Sequence, residues 1–306
     1  KFTVCQSIDA SFRVFNVAPL VIVNVLDPAK HTTEVLNEKH PIVNKQVVIE
    51  EEGILIQGLQ VKDSNGTTTY VLDQDYELSF NSSGHVVVKI LEDGDIPDEA
   101  TELSISYTQL DPSQVTEEDI IGGYDAATGK YTGLENISQV FPRLGIVPGL
   151  IVCPGWSHKP AVGIAMSAKC ELINGSFNCQ AVKDVDTTAE TGAKEYSKVN
   201  TWKNNNSYTG KHDIVCWPMA KIADKKYYFS ALEAALIDYT DAQNENVPFV
   251  SPSNKRLPIT GTILADGTEV YLDQVQGNLL NGQGIITAIN INGWRSWGNN
   301  TGVYPS

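Results

Sequence analysis

The sequence predicts an α/β core domain with an inserted antiparallel β domain, a small sandwich or barrel, and three observations carry that reading. Strict two-residue alternation of apolar and polar positions is confined to the stretch between residues 32 and 118. That same stretch holds 18 acidic residues against 4 basic ones, so it carries −14 of the total net charge of −15. Elsewhere strand patterns alternate with helical ones, the mark of a sheet covered by helices. So abrupt a step in charge marks a domain boundary. It implies a discontinuous α/β domain over residues 1–31 and 119–306, and an acidic β-rich domain over 32–118.

The elements follow in order. Residues 19–26 are almost continuously apolar and read as a strand of the α/β sheet. Within the acidic stretch, residues 54–61, 76–80, 85–90 and 102–107 alternate as half-buried strands. Asp63-Ser64-Asn65-Gly66 and Asn81-Ser82-Ser83-Gly84 are hairpin-type connections between them. Leu134, Ile137, Val140, Phe141 and Leu144 then fall at helical spacing and lead into a strand at 149–153. A helix over 161–173 and strands over 177–185 and 213–219 continue the pattern. Ser230 is placed to cap a helix running to about Thr240, with Glu233 at the capping-box position. Residues 284–291 close as the last strand.

Composition narrows the function classes. With 306 residues, 42% of them hydrophobic, the chain can bury sizeable cores. The longest apolar run, 17–25, is interrupted by Pro19 and Asn24 and is far short of a bilayer span of about 20 residues, so membrane insertion is not expected. An acidic surface repels phosphate backbones, which argues against direct nucleic-acid binding. Five cysteines without a Cys-x-x-Cys pair read as buried thiols of a reducing, cytoplasmic compartment, with no disulfide.

Motifs for chemistry fail on spacing. Gly123 to Lys130 has five residues between its glycines where a phosphate loop needs four, and Tyr131 replaces the hydroxyl ligand. Gly282-Gln283-Gly284 lacks the third glycine of a dinucleotide fingerprint. Gly155-Trp156-Ser157-His158-Lys159 puts Lys where a nucleophile elbow needs glycine. Ser157 and His158, with Asp184 or Asp186 as the carboxylate, nevertheless define a hydrolase alternative. Cys153, His158, Cys170 and Cys179 are irregularly spaced, so no metal and no cofactor is expected. The tryptophans Trp156, Trp202, Trp217, Trp294 and Trp297 all lie outside the acidic stretch, where they either cover sheet ends or anchor contacts. A carbohydrate-binding module is disfavoured because the acidic stretch contains no Trp.

Several segments together resemble the contractile tail sheath proteins of bacteriophages, prophages and R-type bacteriocins. They are Asn24-Val25-Leu26-Asp27-Pro28, Asp119-Ile120-Ile121-Gly122-Gly123 with Thr132-Gly133-Leu134, Val147-Pro148-Gly149 and Pro154-Gly155-Trp156-Ser157. The same order continues through Trp217-Pro218, Ser251-Pro252, Asn281-Gly282-Gln283-Gly284 and Trp294-Arg295-Ser296-Trp297. The resemblance implies a structural protein without catalysis, with those positions serving assembly or the family fold. It implies hexameric rings stacked in a helical sleeve, with other copies, the tail tube, the baseplate and the tail terminator as partners, assembled in the host cytoplasm and carried in the virion tail. It also implies strand-exchanging arms outside residues 1–306, so that these residues alone are expected to remain soluble and unpolymerised.

Overall fold

Apolar residues at alternate positions mark several strands of the acidic unit. Its strands are β1 (Thr32–Pro41), β2 (Gln46–Ile49), β3 (Ile54–Asp63), β4 (Tyr76–Phe80), β5 (Val86–Ile90) and β6 (Glu102–Leu110). They form two three-stranded antiparallel sheets, ordered β1-β6-β3 and β2-β5-β4. Val47, Ile49, Val86 and Val88 of one sheet and Val61, Leu103, Ile105 and Tyr107 of the other share one buried cluster, which makes the unit a sandwich. Gly58, at φ +86°, sits where the β3–β6 register shifts between Leu55 and Gln60, a backbone conformation that glycine adopts without strain. The unit's two ends are stitched together: Asp111 N donates to His31 O at 2.9 Å, and Gln114 Nε2 to Thr32 O at 2.8 Å.

The computed structural model describes residues 3–305 and divides the chain into two compact units. One is Leu26–Val115; the other combines the segment up to Val25 with everything from Thr116 onward. This second unit begins with α1 (Val4–Ile8), which runs into a π-helical turn at Asp9–Phe15. After the acidic unit come α2 (Glu117–Ile121), a small hairpin of β7 (Tyr124–Asp125) and β8 (Lys130–Tyr131), and α3 (Ile137–Leu144). The core elements are β9 (Leu150–Val152), α4 (Pro160–Ala168), β10 (Gln180–Asp184), α5 (Tyr196–Asn205) and β11 (Asp213–Cys216). Next are β12 (Met219–Ile222), β13 (Lys225–Tyr227), α6 (Phe229–Ala242), β14 (Gly261–Ile263) and β15 (Glu269–Val270). The last are α7 (Gln274–Asn281), β16 (Ile285–Asn290) and β17 (Trp294–Trp297).

The central sheet is ordered β17-β16-β11-β10-β9, with β9, β10, β11 and β16 parallel and β17 antiparallel at one edge. Neighbouring residues of its strands feed opposite faces, and both faces are covered. Val182, Cys216, Ile286 and Ala288 pack with Phe229, Leu232, Ala235 and Leu236 of α6. Val215 and Ile285 point the other way, into a cluster with Val199 and Trp202 of α5 and Leu280 of α7. A sheet buried on both faces produces continuous apolar runs rather than alternation, which is why these strands read differently from those of the sandwich. A second, antiparallel sheet follows the order β13-β12-β14-β15. Among the described residues no helix is long and apolar enough to cross a membrane.

Several expectations need correction. Residues 19–26 form no regular strand, and Val21, Ile22 and Val23 stay 39%, 48% and 36% exposed. Apolar composition marks extended chain but does not supply a ladder partner. The helix expected over 161–173 stops at Ala168, because Leu172 and Asn174 take positive φ in a tight turn. The strand expected over 213–219 splits at Pro218, which has no N–H to give a ladder, into β11 and β12 of different sheets. Ser230 does not cap α6: Tyr228 holds that position, and Ser230 lies inside the first turn. β16 is not the last strand, since β17 returns beside it, and β1 and β2 were not foreseen in the acidic unit.

Candidate functional site

The loop Pro154-Gly155-Trp156-Ser157 leaves the end of β9 beside the end of β10. Ser157 is fully buried, and its Oγ donates to Asp184 Oδ2 at 2.8 Å while accepting from Asp184 N at 3.0 Å. Asp184 also accepts from Ser230 N at 2.8 Å and Ser230 Oγ at 2.5 Å. Its carboxyl therefore sits at the first turn of α6, where backbone N–H groups favour a negative charge. Burial pushes the Asp184 carboxyl above the usual carboxylate range, and the bonds from Ser230 and Ser157 oppose that shift. One buried side chain thus staples the β9 loop, the end of β10 and the start of α6.

This arrangement cannot serve as a hydrolase triad. Ser157 gives its proton to a carboxylate, whereas catalysis needs a histidine base that a carboxylate orients. His158 instead stacks on Tyr228 with ring centroids 5.5 Å apart, and burial lowers its pKa. Asp186 is occupied by Thr188 and Thr191. Among the described residues no group of three or more His, Cys, Asp and Glu could hold a metal ion. Cys153, His158, Cys170 and Cys179 are not gathered into one.

Three further buried charges were not singled out by sequence. Lys183 and Asp213 form an ion pair at 2.8 Å with neither side chain exposed. Lys183 Nζ also donates to Ser167 Oγ at 2.8 Å and lies 3.9 Å from the Tyr208 ring centre. Asp213 accepts in addition from Ser167 Oγ at 2.6 Å and Gly210 N at 2.9 Å. Lys203 Nζ donates to three carbonyls, Gln283 O at 2.6 Å, Gly302 O at 2.7 Å and Tyr304 O at 3.2 Å. The available signal was a lysine directly after the apolar pair Ala181-Val182 of a central strand, and a lysine directly after Trp202 at 203.

The family-motif positions do not converge on one site; they lie in turns, at a helix end and on the edge strand β17. Asn281 Oδ1 accepts from Asn299 N at 3.1 Å, and its carbonyl accepts from Asn300 Nδ2 at 3.0 Å. Gly282 ends α7 and Gly284 turns into β16 at φ +71°, where a Cβ would lie 2.4 Å from Thr301 O. Gly284→Ala is expected to cost about 1–3 kcal/mol, read as a lower urea midpoint by Trp fluorescence. An unchanged midpoint would show that the turn relaxes freely. Trp294, Arg295 and Trp297 form β17: Arg295 Nη1 donates to Asn254 O at 2.7 Å, and Trp297 Nε1 to Asn278 Oδ1 at 2.9 Å. Ser251 and Pro252 build the adjoining turn, accepting from Ser253 N and Lys255 N. Trp217 is buried beside Pro218 and donates to Ala193 O at 2.8 Å. Trp156 carries the Lys159 ammonium 4.6 Å above its ring. Asn24 lies in the segment outside regular secondary structure that precedes the acidic unit, while Asp27 and Pro28 begin a turn in which Asp27 Oδ1 accepts from Ala29 N.

Comparison with known proteins gives a consistent set of relatives. The chain is 25% identical over 312 residues to the tail sheath protein of Burkholderia phage BcepMu, covering 100% of this chain and 64% of that protein. It is 34% identical over 187 residues to a prophage major tail sheath protein of Pseudomonas aeruginosa strain UCBPP-PA14, covering 60% of this chain and 45% of the relative. With the tail sheath protein of Escherichia phage P2 it shares 25% identity over 222 residues, 70% of this chain and 50% of that one. The chain therefore spans less than two thirds of each of these relatives. Among solved structures it is similar to a chain of the anti-feeding prophage baseplate, at TM-score 0.37 and 18% identity over 55% of this chain and 41% of that one. The contracted helical sheath of the same prophage gives TM-score 0.37 and 18% identity over 54% and 42%. No family model matches the chain. The sequence is thus similar to tail sheath proteins of phages and a prophage, along its whole length in one of them and over 60% and 70% of it in the two others.

Proposed function

We propose that the chain is a structural subunit of a contractile tail sheath, stacked as hexameric rings in a helical sleeve around a tail tube. It assembles in the host cytoplasm and contracts on a baseplate signal to drive the tube through the host envelope. Its partners are other copies of itself, the tube, the baseplate and the tail terminator. The observation that carries this reading is the match along 100% of the chain to a phage tail sheath protein. The packing is compatible with it: a sleeve that shortens needs subunits that move as rigid bodies, and a sheet covered on both faces is a rigid body.

In the same reading residues 32–118 are a domain inserted into the α/β core and placed on the outside of the sleeve, where a charge of −14 keeps the particle solvated. Immunoelectron microscopy of intact tails tests both levels. Antibody against residues 32–118 is expected to decorate the sleeve along its length, before and after contraction. Binding only to disrupted tails would overturn the outer placement alone; its absence from sleeves, with label elsewhere on the particle, would overturn the sheath assignment.

A further inference from the structure

The cysteines divide into unlike environments. Cys5 is exposed, Cys153 is half-buried, and Cys170, Cys179 and Cys216 are buried. Burial pushes the Cys153 thiol up to about 12 and the Cys216 thiol well above its ordinary value. Cys170 and Cys179 differ, because their thiols are hydrogen-bonded to one another. That interaction lowers the Cys179 thiol and raises that of Cys170, while Cys170 Sγ also donates to Met166 O at 3.3 Å.

The backbone holds the pair in place. Cys170 lies just past α4, Cys179 immediately precedes β10, and Cys179 N donates to Cys170 O at 2.9 Å. A direct main-chain bond between two buried cysteines is compatible with the Cα separation of about 4.4–6.8 Å that a disulfide requires. The chain between them is an exposed turn closed by Ile173 N to Phe177 O at 2.7 Å, with Leu172 69% exposed and at φ +52°. Such a turn, mostly exposed and holding a non-glycine residue in the left-handed region, is a place for local opening.

We infer that Cys170 and Cys179 form a latent dithiol that a hydroperoxide converts into an intrachain disulfide. Cys179, as thiolate, attacks one oxygen of hydrogen peroxide; the O–O bond breaks, Cys179 becomes a sulfenic acid, and hydroxide leaves with the thiol proton as water. The Cys170 sulfur then attacks the Cys179 sulfur. The S–S bond forms, the S–O bond breaks, and a second water leaves with the Cys170 proton. Two thiols are oxidised and one peroxide is reduced to two waters.

The test uses Cys5→Ser protein, which removes the exposed thiol, treated with increasing hydrogen peroxide, alkylated and mapped without reduction. Free thiols are expected to fall from four to two, with one linked peptide pair containing Cys170 and Cys179 that dithiothreitol reverses. In Cys170→Ser, Cys179 is expected to stop at the sulfenic acid and be captured by dimedone; if that variant does not fold, the peptide map decides alone. Sulfinic acid at Cys179 without a link, a link through Cys153 or Cys216, or four thiols surviving peroxide that oxidises Cys5 in the unmodified protein would each overturn the inference.

Discussion

Replacing Lys183 by Met is expected to destabilise the α/β unit by about 3–5 kcal/mol, because it strands the fully buried Asp213 carboxylate. The side chains of Lys183 and Asp213 are both 0% exposed, so water cannot take over the missing partner. Burial already pulls the Lys183 ammonium below its ordinary pKa, and Asp213 is what holds it charged. The variant also leaves Ser167 Oγ without one partner and removes the cation from the Tyr208 ring. Each kcal/mol shifts the melting temperature of a domain this size by about 2–4 °C, so the loss is on the order of 10 °C. Trp fluorescence isolates the effect, since all five tryptophans lie outside residues 32–118. Lys183→Met combined with Asp213→Asn removes both charges and keeps an acceptor for Gly210 N; it is expected to recover part of the loss. Equal melting of Lys183→Met and the parent would show that the pair contributes nothing.

Glu233 makes a second large effect, visible only against pH. It lies fully buried in α6, accepts from Ser296 Oγ at 2.8 Å, and leaves Oε1 without a partner among the described residues. Burial raises its carboxyl from 4.5 to about 7, with the Ser296 bond opposing. Below the unfolded value both states hold the proton. As pH rises from about 4.5 the unfolded chain releases it first, so stability falls until the folded group also ionises near 7, and then levels off. At about 1.4 kcal/mol per pKa unit, Glu233 costs about 3 kcal/mol at pH 8 relative to pH 4. Glu233→Gln, which keeps an acceptor for Ser296, is expected to match the parent near pH 4.5 and exceed it by up to about 3 kcal/mol at pH 8. Urea midpoints that differ by the same amount at both pH values would refute this account.

The sandwich strands were legible where one face is buried and the other wet. In β5, Val86 and Val88 are fully buried while Val87 and Lys89 are not, and that contrast is the two-residue signal itself. β1 has no such contrast: none of Thr32–Pro41 is buried, and its register slips between Val35 and Glu38. It is held by main-chain pairing to β6, which leaves little mark in side-chain chemistry. β17 was read for its Trp and Arg, which suggest an interface; that Ser296 between them is fully buried on Glu233 carries no mark in those residue types. The buried polar cluster was harder still. Lys183 and Asp213 are 30 positions apart in sequence and meet because β10 and β11 run parallel, with Ala181 opposite Asp213. Ser157 was noticed for its histidine neighbour, yet the partner that matters is Asp184, which a strand end brings beside it.

The bond from Asp111 N to His31 O, with Thr32 opposite Leu110, has a consequence for how the sequence can vary. Because the two ends of the acidic unit are fastened side by side, the surrounding polypeptide meets it as it would a tight turn. Loop-closure entropy grows with the length of the unconstrained chain between two points, and here almost none is unconstrained. Strands can therefore be added, deleted or recharged within the unit at no cost to the closure of the α/β chain around it. Closure of the surrounding chain thus depends on main-chain bonds at the mouth of the unit and hardly on the number of residues within it.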